Sequence, residues 1–209
     1  VETRELDFDR GPGWSRGKSH IVGFSVAARQ DRTGETGKWY YPLRHVVEPE
    51  WNLDAHNCLG WLNSQLNTSH IPKVGANLLY DIGCLSAEGV NVAGKLFDVQ
   101  TAEALLDDEG EVNLDWLGRK YLSQSKTSDQ LYQWCALAYG GNATGTQRGN
   151  IWRAPPRLVG PYGEDDADLP LRILEKQYPM LYRDGLLDVF DMECGLIPLL
   201  IRMRWQGVQ

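Results

Sequence analysis

The sequence lacks the features that would indicate a zinc protein, a membrane protein or a repeat protein. Its 209 residues contain four cysteines, with no CxxC pair, and four histidines that form no zinc-ligand spacing with them. No apolar run is long enough to cross a membrane, and no signal peptide, internal repeat or low-complexity tract is recognisable. We therefore expect reduced thiols in a cytoplasmic protein. Because the first residue is Val1 rather than Met, we also expect a processed or excised piece.

Positive charge is scarce as well. The chain has 21 Lys and Arg residues against 28 Asp and Glu residues, for a net charge of -7. This balance excludes a broadly basic coat for nucleic acid, but it leaves room for a nuclease, because a carboxylate metal site is itself negative and a local basic groove can hold a phosphate backbone. With 42% hydrophobic and 23% charged residues, the chain has the composition of a folded domain.

Three short acidic motifs follow one another along the chain. The first is Asp7-Phe8-Asp9, whose two carboxylates share one face if the segment is a strand. Asn77 and Asp81 are four residues apart, which places them on one face of a helix, and Asn77 is a residue type that caps helices. Tyr162 and Asp166 have the same spacing. Four carboxylates in one cluster would repel each other unless divalent cations neutralised them, and two-metal phosphodiester hydrolysis requires such a cluster.

The hydrophobic pattern predicts an α/β fold with strands of mixed direction. Strands are expected at residues 4–9, 20–28 and 38–43, and their short connections are typical of an antiparallel meander. Two further strands, at residues 71–75 and 94–97, alternate with segments of helical periodicity.

The segment at residues 139–161 is rich in Gly, Asn, Thr and Pro and is long for an ordinary connection. One interpretation is a functional loop, in which arginines such as Arg148 and Arg153 contact phosphates while Trp152 or Tyr80 stacks on terminal bases. The alternative is a solvated loop with one packed aromatic residue.

Taken together, the motifs resemble those of the DEDD 3′–5′ exonucleases, and more closely the proofreading domain of family-A DNA polymerases from bacteria and phages. The sequence DFD followed by IVGFSVA resembles the Asp-x-Glu motif of the family's first strand. VGANLLYD resembles the Asn-x-x-x-Asp motif, and YGEDDAD the Tyr-x-x-x-Asp-Ala-Asp motif. The resemblance covers nearly the whole chain and departs from the family at Asp9, where Glu is usual.

The resemblance implies a ribonuclease-H-like fold, with a mixed five-stranded sheet of three antiparallel and two parallel strands flanked by helices. It implies two divalent metal ions, Mg²⁺ or Mn²⁺, with four carboxylate ligands, namely Asp7, Asp9, Asp81 and Asp166. Tyr162 would orient the attacking water as a neutral phenol, since its ordinary pKa near 10 is too high for a base. The substrate-binding candidates are Asn77, Tyr80, Trp152 and Arg153.

The implied activity is removal of nucleoside monophosphates from a single-stranded or frayed DNA 3′ end in a bacterial or phage-infected cell. Residues 1–184 would form the exonuclease domain, and residues 185–209 the helical start of the connection to a polymerase domain of the same or a companion chain. One alternative is an RNase D-like exoribonuclease, which the polymerase-like tail disfavours. Another is a weak or inactive domain that scaffolds a polymerase, which the four retained acidic positions disfavour.

Overall fold

The structure, a computed structural model, describes residues 1–6, 11–29 and 33–207. These residues form two compact units. The first consists of residues 1–62 and 126–168, and the second of residues 63–125 together with residues from 169 onward. Within the described part of the chain, none of the helices combines the length and the apolar composition that crossing a membrane would require.

The described residues form five strands and seven α-helices. The strands are β1 (Glu2–Glu5), β2 (Ser19–Arg29), β3 (Thr36–Pro42), β4 (Lys73–Gly75) and β5 (Leu96–Asp98). The helices are α1 (Ala55–Leu66), α2 (Leu78–Ala87), α3 (Val99–Leu106), α4 (Leu114–Leu122), α5 (Asp129–Tyr139), α6 (Pro156–Arg183) and α7 (Leu187–Gln206). Short 3₁₀ segments occur at Trp14–Arg16, Pro49–Trp51 and Gly145–Arg153. The predicted α/β class is confirmed.

The first unit contains an antiparallel sheet in the order β1-β2-β3, as the meander prediction required. Glu2 of β1 lies opposite Gly23 of β2, and Phe24 of β2 lies opposite Tyr41 of β3. Both faces of β2 supply buried core residues, with Val22 and Phe24 on one face and Ile21 on the other. β1 begins earlier than the predicted strand at residues 4–9, and Asp7 and Asp9 lie outside the described residues.

The second unit contains the parallel pair β4 and β5, with Val74 opposite Phe97. The predicted directions are therefore confirmed, with three antiparallel and two parallel strands. In the described residues, however, they form two sheets rather than one sheet of five strands. β4 and β5 are only three residues long, so each offers few groups for further pairing.

Asp98 organises the helices beside this pair. Its carboxylate accepts hydrogen bonds from the backbone N–H of Leu78, at 2.6 Å, and of Gln100, at 2.9 Å. It therefore caps α3 and also holds the first residue of α2. Asn77 occupies the expected N-cap position of α2, but its side chain makes no capping hydrogen bond and its backbone is left-handed, with φ of 64°.

Helix α7 is continuous through Gly195 and Pro198. Pro198 lies inside the helix, whose apolar residues form two faces. One face is buried in the second unit and consists of Phe190, Cys194, Ile197 and Ile201. The other is exposed and consists of Val189, Met192, Leu196, Leu199, Leu200 and Met203. Burial of the first face keeps the helix intact despite the hydrogen bond that a proline cannot donate.

Candidate functional site

Helix α6 carries the third motif in the conformation that the spacing predicted. Tyr162 and Asp166 are one helical turn apart, so their side chains lie on the same face. Tyr162 is buried, whereas Asp166 is half-buried. The Tyr162 ring packs in an apolar cluster of the first unit formed by Leu131, Tyr132, Cys135, Ile151, Ala154 and Val159. This packing fixes the direction in which the phenol points.

The sheet of the first unit packs closely against α6 beside Tyr162. Gly163 faces β2 and β3, and a Cβ atom at this position would clash with Ser25 Oγ and come within 3.2 Å of the Tyr40 ring. A larger residue would therefore push the helix off the sheet. Close packing against β2 and β3 thus explains why the second residue of YGEDDAD is a glycine.

A buried Tyr40–His45 pair holds the chain just before α6. Nδ1 of His45 donates to the carbonyl oxygen of Ala154 at 2.9 Å, so Nε2 accepts from the Tyr40 hydroxyl at 2.5 Å. Burial lowers the pKa of His45, which keeps the ring neutral and in this tautomer. The pair links the end of β3 to the segment from which α6 begins.

Tyr162 is held as a neutral phenol. Burial raises its pKa well above the ordinary value, and the negative charges of Asp166 and Glu2 raise it further. Since the pKa moves upward from about 10, the hydroxyl keeps its proton throughout the physiological range. This agrees with the neutral state expected from the sequence.

Glu2 is a residue that the sequence interpretation missed. It lies in β1, and its charge raises the pKa of Tyr162 and, after burial, that of Tyr40. A carboxylate on the first strand therefore acts electrostatically on the same tyrosine as Asp166. The only hint in the sequence was the position of Glu2, ahead of the segment IVGFSVA. In the described residues, β1 runs from Glu2 to Glu5 and pairs with the strand that contains IVGFSVA.

Two cations accompany these carboxylates. Lys126 forms an ion pair with Asp166, and its Nζ lies 3.9 Å from the centroid of the Tyr162 ring. A hydrogen bond with Tyr132 raises the pKa of Arg148, and the charge of Asp166 contributes to the same shift. Lys126 had not been selected from the sequence, since a lysine in a polar connection gives no local signal.

The buried carboxylate of Asp165 fixes the segment that carries Lys126. It accepts from Lys38 Nζ at 2.8 Å and from the backbone N–H of Thr127 at 2.9 Å. Burial by itself would raise the pKa of Asp165, but these hydrogen bonds outweigh burial and keep the pKa below the ordinary value. Asp165 therefore remains charged and binds β3, the 126–127 segment and α6 together.

The other predicted residues fall into separate groups. Asn77, Tyr80 and Asp81 belong to the second unit, where Tyr80 and Asp81 are half-buried in the first turn of α2. Asp7 and Asp9 lie outside the described residues.

Trp152 and Arg153 belong to the first unit, where they stack with each other. The guanidinium carbons of Arg4 and Arg153 lie 4.3 and 4.7 Å from the Trp152 ring centroid. Tyr139 also donates a hydrogen bond to the carbonyl oxygen of Arg153. Trp152 is thus packed by its neighbours in a structured segment, and the substrate-binding roles of Trp152 and Arg153 stay predictions.

The donor set suits a divalent cation of the magnesium type, which prefers carboxylate oxygens. The carboxylate of Asp166 already attracts a cation, the ammonium group of Lys126. In the described part of the chain, no group of three or more His, Cys, Asp or Glu side chains is arranged to hold a metal ion. Within the first unit, the described carboxylates beside Tyr162 are Glu2 and Asp166.

The fold and the site define an α/β protein in which a half-buried carboxylate, Asp166, lies one helical turn from a buried, neutral tyrosine. The sequence profile of the 3′–5′ exonuclease family matches residues 32–181. The chain therefore belongs to the 3′–5′ exonuclease domains of family-A DNA polymerases, a family that generally uses divalent metal ions. The matched region begins after Glu2, Asp7 and Asp9, so the match does not show which of these carboxylates corresponds to the first acidic motif of the family.

Similar proteins are polymerases of phages and bacteria. The chain is 30% identical, over its whole length, to a DNA-directed DNA polymerase of Pseudomonas phage M6. It is 28% identical over 90% of its length to DNA polymerase DpoZ of Vibrio phage phiVC8, and 27% identical over 91% to DNA polymerase I of Pseudomonas aeruginosa. It spans 30% of the length of each of these phage polymerases and 20% of the bacterial one.

Replacement of Tyr162 by phenylalanine tests its role. Tyr162→Phe keeps the ring and its packing but removes the hydroxyl hydrogen bond, so we expect the cleavage rate to fall about 10²-fold with little change in stability. Because the raised pKa keeps Tyr162 protonated, the ratio of the two rates should stay constant between about pH 6 and pH 9. Single-turnover cleavage and thermal unfolding measure both effects.

Tyr139→Phe is the matched control, since this hydroxyl also donates a hydrogen bond but to the carbonyl oxygen of Arg153. We expect it to leave the rate close to that of the parent. A Tyr162→Phe variant as active as the parent would reduce Tyr162 to a packing residue.

Proposed function

We propose that this chain is a proofreading domain that removes nucleoside monophosphates from the 3′ end of DNA. The observation that carries the proposal is the buried, neutral Tyr162, one helical turn from Asp166, in a chain of the 3′–5′ exonuclease family. The substrate would be a single-stranded or frayed 3′ end, in the cytoplasm of a bacterial or phage-infected cell. The polymerase names of the relatives favour DNA over the RNA of the RNase D-like alternative.

The proposed metal requirement is two divalent ions, Mg²⁺ or Mn²⁺, held by Asp166, Asp81 and the carboxylates of the first segment. When bound, such cations favour ionisation of water and stabilise the departing 3′ oxygen. Tyr162 has a separate task, which is to orient the attacking water through its hydroxyl group. A neutral phenol can do this without exchanging a proton, because it donates and accepts hydrogen bonds.

We include Glu2 in this set beside the sequence-derived candidates Asp7 and Asp9. Its charge acts on Tyr162 together with that of Asp166, which supports a place near the reacting groups. The family motif has a glutamate on the first strand, and Glu2 is a glutamate within β1. Under this assignment, the unusual aspartate at position 9 would no longer need to act as a shortened glutamate.

A polymerase domain, in the same or a companion chain, is the proposed partner. The exposed apolar face of α7 supports it, because Leu199, Leu200 and Met203 are each more than 40% exposed. An apolar row of this kind commonly covers or is covered by another protein surface. Most of the length of the phage relatives lies outside the matched region, and residues 185–209 are the proposed start of the connection to it.

The activity is tested with a 5′-labelled single-stranded DNA oligonucleotide. We expect stepwise shortening from the 3′ end with Mg²⁺ and none with EDTA. Asp166→Asn should lower the rate by several orders of magnitude, since it removes a charged ligand. Asp184→Asn, at an exposed ion pair with Arg183, is the matched control and should cleave like the parent. An RNA strand of the same sequence that is degraded faster than the DNA would favour the exoribonuclease alternative.

A proofreading site should prefer a primer end that has left its duplex. Unpairing a terminal base takes on the order of 1–2 kcal/mol, the scale of one stacking step, so a mismatched end should be trimmed about tenfold faster than a matched one. Initial rates on two duplexes that differ only in the terminal base measure the ratio. Equal rates would indicate a processing nuclease instead.

The carboxylate of the first segment is identified by comparing two variants. Glu2→Gln removes the charge beside Tyr162, and we expect the cleavage rate to fall by about 10²-fold or more. If Glu2 takes the role that the sequence assigned to Asp9, then Asp9→Asn will cleave at nearly the parental rate. Single-turnover kinetics with Mg²⁺ measure both variants. Loss of activity in Asp9→Asn, with Glu2→Gln unaffected, would return the assignment to Asp9.

A further inference from the structure

Lys126 makes contacts that the proposed chemistry does not use. Its ammonium group pairs with the Asp166 carboxylate and lies over the Tyr162 ring, 3.9 Å from the centroid. The side chain is 10% exposed, whereas that of Asp166 is 29% exposed. A lysine so well covered has lost most of the freedom of an ordinary surface lysine. Its position therefore reflects the surrounding packing.

Neighbouring hydrogen bonds hold Lys126 in this place. Thr127, the next residue, donates its backbone N–H to the buried carboxylate of Asp165, which also binds Lys38. Asp165 therefore binds Thr127, and the next residue, Asp166, binds Lys126, which precedes Thr127. This two-point attachment directs the ammonium group to Asp166 rather than to solvent.

The contact has a consequence for metal binding. Lys126 pairs with one oxygen of Asp166, Oδ1, and an ammonium group and a divalent cation on that same oxygen would repel each other strongly. A metal ion that uses Oδ1 of Asp166 therefore has to displace Lys126 first. The free energy of the ion pair and of the cation–π contact with Tyr162 is then subtracted from the free energy of metal binding.

We propose that Lys126 is the resident counter-cation of Asp166 and that a divalent metal ion binds by displacing it. Lys126 thereby sets the metal concentration that the site requires. The inference rests on the proposed function, since it takes Asp166 as a metal ligand. The ion pair also stabilises the charge of Asp166 beside the buried Tyr162 ring.

The test is metal affinity, measured by calorimetric titration of the purified chain with Mn²⁺ in the absence of DNA. Lys126→Met removes the ammonium group but keeps an apolar side chain against Tyr162. We expect this variant to bind Mn²⁺ about tenfold more tightly than the parent, equivalent to about 1.4 kcal/mol. Equal or weaker binding would overturn the proposal.

Two variants control for charge and for structure. Lys95→Met removes one positive charge from an exposed ion pair with Asp191 and should change the affinity by less than about threefold. Lys126→Arg keeps the competing charge and should also stay within about threefold of the parent. A gain in Lys95→Met as large as that in Lys126→Met would indicate a general charge effect and overturn the proposal.

A second measurement uses the unaltered protein and so does not depend on how the variants fold. Brief labelling with an amine-reactive reagent, followed by mass spectrometry, compares the accessibility of each lysine with and without Mg²⁺. Displacement predicts that Mg²⁺ increases labelling of Lys126 severalfold but leaves Lys38 unchanged. Labelling of Lys126 that does not rise at saturating Mg²⁺ would contradict displacement.

The outcomes separate this inference from the proposed function. A parent that binds Mn²⁺ and cleaves DNA, with no gain in Lys126→Met, overturns the role of Lys126 alone. A parent whose Mn²⁺ affinity is unchanged by Asp166→Asn overturns Asp166 as a ligand and, with it, both proposals.

Discussion

The first unit depends on the hydrogen bonds to one buried charge, the carboxylate of Asp165. Asp165 is 3% exposed, and a carboxylate taken out of water is tolerated only when its oxygens are fully bound. Lys38 from β3 and the backbone of Thr127 meet that requirement, so the sheet, the 126–127 segment and α6 are joined at one point. Because Asp166 is the next residue along the helix, this structural carboxylate determines what the neighbouring candidate ligand faces.

The second unit uses the same principle at the end of a strand. Asp98 is 4% exposed and is bound by backbone N–H groups at the starts of α2 and α3. Both helices therefore begin at fixed positions, including the α2 residues Tyr80 and Asp81. In each unit, a buried carboxylate that performs no chemistry positions the elements that carry the candidate functional residues.

Local positive charges explain how a chain with a net negative charge can bind the DNA end that we propose as its substrate. The net charge is -7, yet the carboxylate of Asp166 is accompanied by Lys126 and by the guanidinium group of Arg148. Local cations of this kind lower the electrostatic cost of bringing a phosphate to a carboxylate site. The net charge of the whole chain thus says little about the electrostatic potential beside Tyr162. That potential is set by nearby side chains such as Lys126 and Arg148.

The sequence alone determined the α/β class, the antiparallel meander of the first three strands and the Tyr162–Asp166 pair, because periodicity, connection length and i, i+4 spacing are local properties. The parallel direction of the other two strands was implied by the family resemblance. The sequence did not determine the shared environment of Glu2, Lys126 and Tyr162, which come from distant parts of the chain and meet only through β-sheet register and helix packing. Nor did it determine how α2 begins, where the Asn77 side chain makes no capping hydrogen bond and Asp98 accepts the N–H of Leu78. A partner of that kind, distant in sequence, exists only once the chain has folded.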